Sequence, residues 1–241
     1  MTAGFLLALR FLTRLPVPSV RADEADFAAS MRWFPAVGLV IGGFLAGAAW
    51  VGGLVDPWVA ALAVLAMWVW ITGALHLDGL ADISDALGAA HKGPERVRAV
   101  LADPHVGSFG VVALVLQLLA KLVLLHALLA EGGAWLALLL IPFAARIGPL
   151  LWTLWLPPLH DGLAARFRAA VRPVHIALWG VLLAGAAWFA PALLCAPVAM
   201  LLWGWRLRGT LGGISGDGHG AGIELTETAL LIALLALGAA R

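Results

Sequence analysis

The sequence predicts an all-helical protein that crosses a membrane several times, and three observations support this prediction. Of its 241 residues, 63% are hydrophobic and only 12% are charged, and the mean hydropathy is +0.99. No soluble globular domain has this balance. Long apolar runs alternate with polar segments, and helices satisfy the backbone hydrogen bonds within each run. We therefore expect a single membrane-embedded domain over residues 1–241, with about six or seven transmembrane helices.

Composition also excludes several classes of function. The net charge is +1 and no basic run is long enough to follow a phosphate backbone, so we expect no nucleic-acid partner. The single cysteine, Cys195, excludes an internal disulfide and any metal site built from several cysteines. No small-residue cleavage site follows the apolar part of the first fifteen residues, so we expect no cleavable signal peptide.

The apolar runs predict the helices in chain order. Residues 3–14 are too short to cross a bilayer and predict a helix at the membrane interface. The glycine-rich run that follows favours close helix packing. The predicted spans are 36–55, 57–75, 108–130, 134–156, 174–189, 191–205 and 225–240, of which the fifth and sixth can also form one broken helix. Three long polar segments separate them: a loop at 76–105, which we expect to be partly helical, a basic loop at 157–173 and a glycine-rich loop at 206–222.

Positive charge orients these helices. Lysine and arginine precede the first span and follow the second, fourth and sixth, whereas the turns at 56, 131–133 and 190–192 carry neither. By the positive-inside rule, the N-terminal segment and the three long polar segments face the cytoplasm. Only the terminal Arg241 lies on the opposite side. We therefore expect the polar chemistry of the chain on one face of the membrane.

The stretch 76–85, His-Leu-Asp-Gly-Leu-Ala-Asp-Ile-Ser-Asp, follows an apolar run directly. Asp78, Asp82 and Asp85 are spaced i, i+4 and i+7, so at about 100° per residue they fall within roughly 60° of arc on a helix. Such a stripe is usually a solvated helix face, but a chain this apolar makes that explanation weak. A carboxylate at membrane depth costs about 2.5–3.5 kcal/mol. We expect these groups to lie in water or to be neutralised by a cation.

Half of the fourteen acidic residues are predicted near the cytoplasmic ends of spans two, three and seven. They are Asp78, Asp82, Asp85, Asp103, Asp217, Glu224 and Glu227. Oxygen ligands without cysteine favour Mg²⁺ or Mn²⁺ over zinc. Histidine is also available, at His76, His105 and His219, which leaves a harder transition metal open.

A second motif, residues 212–220, has the sequence Gly-Gly-Ile-Ser-Gly-Asp-Gly-His-Gly. Its glycines let backbone N–H groups converge on an anion, and the helix after it adds a positive dipole end. A flexible connector is the alternative, but Asp217 favours a site for metal and phosphate. Glu224 and Glu227 follow at i and i+3, where helix capping charge is an equally good explanation.

Two cations are predicted inside the membrane, Lys121 in the third span and Arg146 in the fourth. Intramembrane charges are functional hypotheses by default, and a structural ion pair is the alternative. We expect Arg146 to face the acidic site and leave the role of Lys121 open. Carboxylates for a divalent cation, glycines for phosphate and nearby arginines together indicate phosphoryl or nucleotidyl transfer. The membrane location implies that one substrate is an amphiphile.

These motifs together resemble one known family, the cobalamin synthases (adenosylcobinamide-GDP ribazoletransferases) of the bacterial inner membrane. The resemblance covers nearly the whole chain, and its motifs are specific only in combination and in this order. The matching segments are Phe11 to Pro18, Phe34 to Gly38, His76 to Asp82 with Asp85, and Gly212 to Asp217 with Gly220, Ala221 and Glu224. The resemblance implies one cobalamin synthase domain over residues 1–241, with its active site on the cytoplasmic side.

The resemblance also implies an activity, the joining of the two halves of the cobalamin nucleotide loop. A hydroxyl of α-ribazole, or of its 5′-phosphate, attacks the phosphorus nearer the cobinamide in adenosylcobinamide-GDP. GMP leaves, and adenosylcobalamin or its 5′-phosphate forms in a Mg²⁺-dependent reaction. The implied partners are these small molecules and membrane lipid. The preferred form of ribazole, homo-oligomerisation and contact with other enzymes of the pathway stay open.

Site roles follow from the motifs and the resemblance together. The expected Mg²⁺ ligands are Asp78, Asp82, Asp85 and Asp217. The expected catalytic residues are Asp82, His76 and Asp85, with Asp85 as general base. The expected substrate-binding residues are Arg14, Arg146, Asp103, His105, Gly213, Gly216 and Glu224. Arg14, Arg146 and His76 are the candidates to hold the phosphates.

One departure from the family pattern concerns the loop before the third span. Where the family usually has a basic residue followed by Asp-Ser-Arg, this chain has Ala102-Asp103-Pro104-His105, so two cations are lost. Two other functions are alternatives. A CDP-alcohol-type lipid synthase normally has Ala-Arg after Asp-Gly, where this chain has Ala81 and Asp82. A divalent-cation transporter normally places acids at mid-membrane and has an internal repeat, which we do not find.

Overall fold

The computed structural model describes residues 2–132, 135–159 and 162–237, and within them the protein is a bundle of helices without a β-strand. The α-helices are α1 (Thr2–Leu12), α2 (Glu24–Ser30), α3 (Phe34–Gly53), α4 (Pro57–Thr72), α5 (Leu75–Ala89), α6 (Pro94–Leu101), α7 (Ser108–Ala130), α8 (Trp135–Ala145), α9 (Gly148–Trp155), α10 (Leu163–Ala170), α11 (Pro173–Ala187), α12 (Cys195–Thr210) and α13 (Gly216–Leu237). Short 3₁₀ turns lie at Met31–Trp33, Ala90–Lys92 and Pro191–Leu194. The predicted all-helical class is confirmed.

Several helices are long and apolar enough to cross a membrane. Four stretches qualify individually, and they are Glu24–Gly53, Ser108–Ala130, Trp135–Trp155 and Gly216–Leu237. Two more qualify only as bent pairs, α4 with α5 at 85° and α10 with α11 at 88°. The described part of the chain thus has four to six candidate spans, which confirms the polytopic class. The predicted span 191–205 corresponds to α12, whose 16 residues are too short to qualify.

Glycine sets the spacing of the central helices. A Cβ added to Gly38 would lie 2.6 Å from the Cα of Phe143, and one added to Gly42 would lie 2.7 Å from the Cα of Leu139. At these positions α3 and α8 touch backbone to backbone. Gly52 approaches Ala60 of α4 in the same way. The prediction that glycine serves close packing in the first span is confirmed.

A cluster of phenylalanines joins the first helices to α10. The rings of Phe11, Phe27, Phe34 and Phe167 lie with centroids 5.2 to 6.3 Å apart, mostly edge to face. Such pairs add specific geometry to apolar burial. The short helix α1 therefore packs onto the bundle, with Leu12 buried.

The helix α4 ends in a sharp turn before α5. Gly73 and Ala74 both have φ of +60°, and Gly73 is the C-cap of α4. Left-handed backbone at two successive residues ends the α4 helix and re-aims the chain by 85°. We therefore describe α4 as the spanning arm and α5 as lying outside it, across the end of the bundle.

Two predicted loops are wholly or largely helical. The polar segment 76–105 contains α5 and α6, in agreement with the expectation that it is partly helical. The glycine-rich segment 206–222 was predicted as a loop, which is wrong for most of its length. Its first part continues α12 to Thr210, and α13 begins at Gly216 instead of near residue 225. The turn between these helices covers only residues 211–215.

Candidate active site

The acidic helix α5 carries three of the predicted carboxylates, and α13 brings the fourth. Gly79 makes this approach possible: a Cβ added there would lie 2.8 Å from the carbonyl oxygen of Asp217 and 2.9 Å from its Cα. Gly220 of α13 packs against His76 in the same contact. Two glycines, one on each helix, therefore let the acidic stretch and the glycine-rich motif meet. Sequence reasoning noted both motifs but missed that glycine joins them.

The carboxylates of the acidic helix α5 lie close enough to repel one another. Burial, followed by the charges of Asp217, Asp78 and Asp85, raises the pKa of Asp82 from 3.8 to about 6. Within the described residues, no lysine or arginine forms an ion pair with Asp78, Asp82 or Asp85. Like charges held together without a counter-ion repel each other, and a bound cation relieves that repulsion.

The carboxylates fit a hard divalent cation in kind but not as a preformed cage. All the expected ligands are oxygen donors, the chemistry that Mg²⁺ prefers. Among the described residues, no three His, Cys, Asp or Glu side chains converge closely enough to hold a metal ion by themselves. Mg²⁺ usually takes one or two carboxylates, keeps several waters and binds substrate phosphates. The expected ligand set Asp78, Asp82, Asp85 and Asp217 stays a prediction.

Asp85 has a structural task as well. One oxygen of its carboxylate accepts a hydrogen bond of 2.7 Å from the N–H of Gly107, and the other accepts one of 3.0 Å from the N–H of Gly110. These are free N–H groups at the start of α7, so Asp85 caps that helix from a distance. A Cβ on either glycine would collide with the carboxylate. Asp85 therefore ties the acidic helix to α7.

A cavity of about 120 Å³ adjoins the carboxylates. Its polar lining comes from His76, Asp78, Asp217 and His219. The remaining wall is apolar, from α1, α3, α5, α9, α10 and α13 and the turn at Met31. His76 and His219 are buried, and each has one ring nitrogen, Nε2 and Nδ1 respectively, without a hydrogen-bond partner in the described part of the chain. Two buried polar atoms beside a cavity indicate a binding site for a polar ligand.

Arg14 lies against the turn that joins α4 to the acidic helix α5. Its side chain covers Gly73, where the chain turns from α4 into α5. Its backbone N–H donates a 2.7 Å hydrogen bond to the carbonyl of Ile71. The side chain is exposed and forms no ion pair with a described residue. Arg14 therefore remains a candidate to bind phosphate.

Arg146 lies next to His76 of the site but is already paired with a carboxylate, and its expected role in substrate binding stays a prediction. It is fully buried, and its Nη1 donates to Oε1 of Glu227 at 2.8 Å and to the carbonyl of Pro142 at 2.9 Å. Lys121 lies 2.7 Å from both Glu224 and Glu227. The structural alternative, a buried ion-pair network, is thus correct for Lys121, and the same network also binds Arg146. A buried charge needs a partner of opposite sign, and for Arg146 that partner is Glu227.

Glu224 and Glu227 were expected at the water-facing end of the last span, and this is wrong. Because α13 begins at Gly216, both residues lie well inside the helix, and both are buried. Gln117 donates to Oε2 of Glu224 at 2.8 Å and completes its contacts. Direct substrate binding by Glu224 is therefore not supported.

The loop before α7 is exposed. His105 lies 2.7 Å from Asp103 through its Nδ1 and a carboxylate oxygen, and the hydrogen bonds from His105 lower the pKa of Asp103. The two side chains pair with each other in solvent. Their contact with the site is indirect, through Gly107 and its bond to Asp85. Their predicted role in substrate binding stays a prediction.

The glycine-rich motif acts through backbone contacts. The N–H of Ile214 donates to the carbonyl of Pro157 at 2.9 Å, and Gly213 packs against that same carbonyl. The backbone N–H of Ile214 is therefore already bonded within the protein. The prediction that the backbone at this point binds an anion is not supported. Gly216 begins α13, and Ser215 before it accepts a 3.1 Å hydrogen bond from the N–H of Gly218. The dipole end of α13 thus lies beside Asp217.

A helical membrane bundle with mutually repelling carboxylates and buried histidines around a cavity belongs to the class of membrane-embedded enzymes. This chain belongs to the cobalamin-5-phosphate synthase family, whose model matches residues 4–235. The match favours the predicted resemblance over the lipid synthase and transporter alternatives.

Several curated relatives are similar over nearly their full length, and each bears the name adenosylcobinamide-GDP ribazoletransferase. The protein from Novosphingobium aromaticivorans is 65% identical over 98% of this chain and 97% of its own. That from Thiobacillus denitrificans is 52% identical over 99% and 97%. That from Brevibacillus brevis is 36% identical over 96% and 97%. No solved structure matches the chain.

Proposed function

We propose that the protein is an adenosylcobinamide-GDP ribazoletransferase of cobalamin synthesis. The observation that supports this most strongly is the meeting of α5 and α13, which brings Asp217 beside the mutually repelling carboxylates of Asp78 and Asp82 in a chain of this family. The substrates would be adenosylcobinamide-GDP and α-ribazole or its 5′-phosphate. The products would be adenosylcobalamin or its 5′-phosphate, and GMP.

The transfer forms one phosphorus–oxygen bond and breaks another. The ribazole hydroxyl attacks the phosphorus nearer the cobinamide, and its proton passes to a base. The bond from that phosphorus to the bridging oxygen breaks, and GMP departs with the bridging oxygen. Because this chemistry spreads negative charge over the diphosphate, catalysis depends on positioning and charge neutralisation.

We assign the general base to Asp82 in preference to Asp85. A carboxylate with a pKa of about 6 accepts a proton near neutral pH far better than an ordinary aspartate. Both oxygens of Asp85 already accept backbone N–H bonds at the start of α7, so its carboxylate is occupied in capping that helix.

Asp78 and Asp217 are our first candidates to hold Mg²⁺, with Asp82 and Asp85 beside them. When bound, Mg²⁺ would neutralise charge on the diphosphate and on the departing phosphate. Arg14 would add positive charge beside the turn into α5, and His76 would contact a phosphate inside the cavity. Arg146 and Glu224 would act on the structure of the site and not on the substrate.

We place the site on the cytoplasmic side of the bacterial inner membrane. The support is the distribution of lysine and arginine in the sequence, which favours this orientation for all the long polar segments. A membrane location suits an amphiphilic corrinoid substrate. Homo-oligomers and docking of other pathway enzymes are left open.

The test is a GMP-release assay. The chain is purified in detergent, supplied with adenosylcobinamide-GDP and α-ribazole 5′-phosphate, and compared in Mg²⁺ and in EDTA. We expect GMP and a cobalamin product in equal amounts, in Mg²⁺ only. A folded sample without product would contradict the proposed activity, and product in EDTA would contradict the metal requirement.

A further inference from the structure

The buried ion-pair network spans three helices of the bundle. Lys121 of α7 contacts Glu224 and Glu227 of α13, and Arg146, directly after α8, contacts Glu227. The side chains of Lys121, Arg146 and Glu227 are at most 3% exposed. Two cations and two carboxylates balance in charge, so the network is neutral as a whole.

The network continues to His76. Nη2 of Arg146 lies 3.4 Å from Nδ1 of His76, while Nη1 is held by Glu227 and by the carbonyl of Pro142. Two partners on Nη1 fix the plane of the guanidinium, so the position of Nη2 is fixed as well. The ion pair thus sets which group faces the imidazole of His76.

The contact with Arg146 determines which ring nitrogen of His76 carries the hydrogen. A guanidinium has only donors, so Nδ1 of His76 must accept through its lone pair. A ring with a lone pair on Nδ1 is neutral and carries its hydrogen on Nε2.

The Nε2–H of this tautomer has no hydrogen-bond partner among the residues that the structure describes. His76 is buried and lines the cavity beside Asp78 and Asp217. A buried N–H without an acceptor is costly and is usually satisfied by a ligand or an ordered water. Among charged substrate groups, phosphate oxygens are strong acceptors of such a bond.

We propose that the Glu227–Arg146 pair is a positioning device that holds His76 as the neutral Nε2–H tautomer, so that His76 donates a hydrogen bond to a phosphate oxygen in the cavity. Arg146 and Glu227 do not touch substrate; they act through His76. The identity of the acceptor rests on the proposed function, whereas the tautomer does not.

The first test measures the tautomer itself without substrate. Protein labelled with ¹⁵N-histidine is studied by NMR in detergent, and the His76 signals are assigned by their loss in His76→Gln. We expect a neutral ring protonated at Nε2, and a loss of this preference in Glu227→Gln. A ring protonated at Nδ1, or at both nitrogens, would overturn the proposal whatever the activity of the protein.

The second test adds inorganic diphosphate with Mg²⁺ to the same sample. We expect the Nε2 and its hydrogen to shift on titration, with Nδ1 nearly unchanged. An unchanged Nε2 signal, in a sample where diphosphate shifts other signals of the site, would remove the phosphate-donor role. The tautomer result would stand independently.

The third test compares two amides in the transfer assay. The amide NH₂ of Gln reaches about as far as Nε2, whereas that of Asn reaches only to the position of Nδ1. Because loss of one positioned donor to a developing oxyanion costs about 10²–10³ in kcat, we expect His76→Asn to fall by about 100-fold and His76→Gln to retain at least a tenth of the activity. Equal loss in two folded variants would overturn the donor role.

The positioning role has its own control. Arg146→Lys keeps a buried positive charge but has a single nitrogen in place of three, so it cannot hold Glu227 and Pro142 through one nitrogen while a second one faces His76. We expect this variant to remain folded and to lose kcat with little change in KM for the corrinoid substrate, together with the Nε2–H preference. A folded Arg146→Lys variant with a wild-type ¹⁵N pattern would show that the arginine does not set the tautomer.

Discussion

Gly79 of α5 touches the backbone of Asp217 in α13. An added Cβ would lie 2.9 Å from the Cα of Asp217, closer than real Cβ atoms come to other heavy atoms. The distance between the two acidic elements is therefore limited by one missing methyl group. The site therefore depends on the close contact between α5 and α13 as well as on the side chains that each helix carries.

Gly79→Ala should push α5 and α13 apart. We expect a loss of about 1–3 kcal/mol in stability, as for other overpacked sites, and a loss of most activity. Thermal unfolding in detergent and the GMP assay measure the two effects. The matched control is Gly43→Ala, since Gly43 is exposed on α3 and no atom of the described residues lies within 4 Å of its added Cβ. Equal behaviour of the two variants would contradict the close contact.

Asp82→Asn should separate function from stability. It removes the charge that its neighbours repel, so we expect the protein to be as stable as the wild type or more stable, by roughly 1 kcal/mol after allowing for the partial exposure of the group. Activity should fall at least 100-fold because the proposed base is lost. The control is Glu131→Gln, since Glu131 is an exposed acid in the turn after α7. This substitution should change neither stability nor activity.

Stability without metal should depend on pH through Asp82. Its folded-state pKa of about 6 is above the unfolded value of 3.8, so the folded protein binds this proton more tightly. The stabilising contribution is complete below about pH 4 and is lost as the pH rises through about 6. In EDTA, the melting temperature of the wild type should fall more between pH 5 and pH 7 than that of Asp82→Asn. An equal fall in both proteins would contradict the raised pKa of Asp82.

The buried network should tolerate balanced changes better than single ones. Lys121→Met leaves Glu224 and Glu227 with one cation, and breaking a buried pair costs about 3–5 kcal/mol. Lys121→Met combined with Glu224→Gln restores neutrality, so we expect the double variant to be more stable than Lys121→Met alone. Denaturation of the wild type, Lys121→Met, Glu224→Gln and the double variant gives the coupling energy, and strictly additive effects would contradict the network.

Asp85→Asn should lose less activity than Asp82→Asn. The amide keeps one acceptor oxygen, so one of the two bonds to Gly107 and Gly110 survives and α7 remains partly capped. We expect a loss of about 1 kcal/mol in stability and a residual activity clearly above that of Asp82→Asn. If instead Asp85→Asn is the less active of the two and still folded, the base is Asp85.

The sequence predicted the membrane class and most of the spans because hydropathy is a local property. It also predicted that Asp78, Asp82 and Asp85 share a helix, since their spacing fits the helical period. It failed at the start of α13. Glycine-rich sequence favours a loop in water, but inside a membrane bundle glycine permits close contact, as Gly222 does against Trp152.

The partners of buried charges were the other failure. Lys121 and Glu227 are far apart in sequence, and no local pattern states that they meet. Arg146 was expected at the site because an arginine near carboxylates suggests phosphate binding. Only the three-dimensional arrangement shows that Arg146 pairs with the buried Glu227. A count of acids near a membrane face does not distinguish ligands from structural counter-ions.

The glycines of this protein fall into two groups that composition alone does not separate. One group lies against the backbone of a neighbouring helix, as Gly38, Gly42 and Gly79 do. In the other group no described atom lies within 4 Å of an added Cβ, as at Gly43 and Gly180. Saturation mutagenesis should therefore find intolerant and permissive glycines side by side on a single helix turn, as at Gly42 and Gly43. The substitutions that each glycine tolerates would then report how closely neighbouring helices pack, and a growth assay would measure this without a structure.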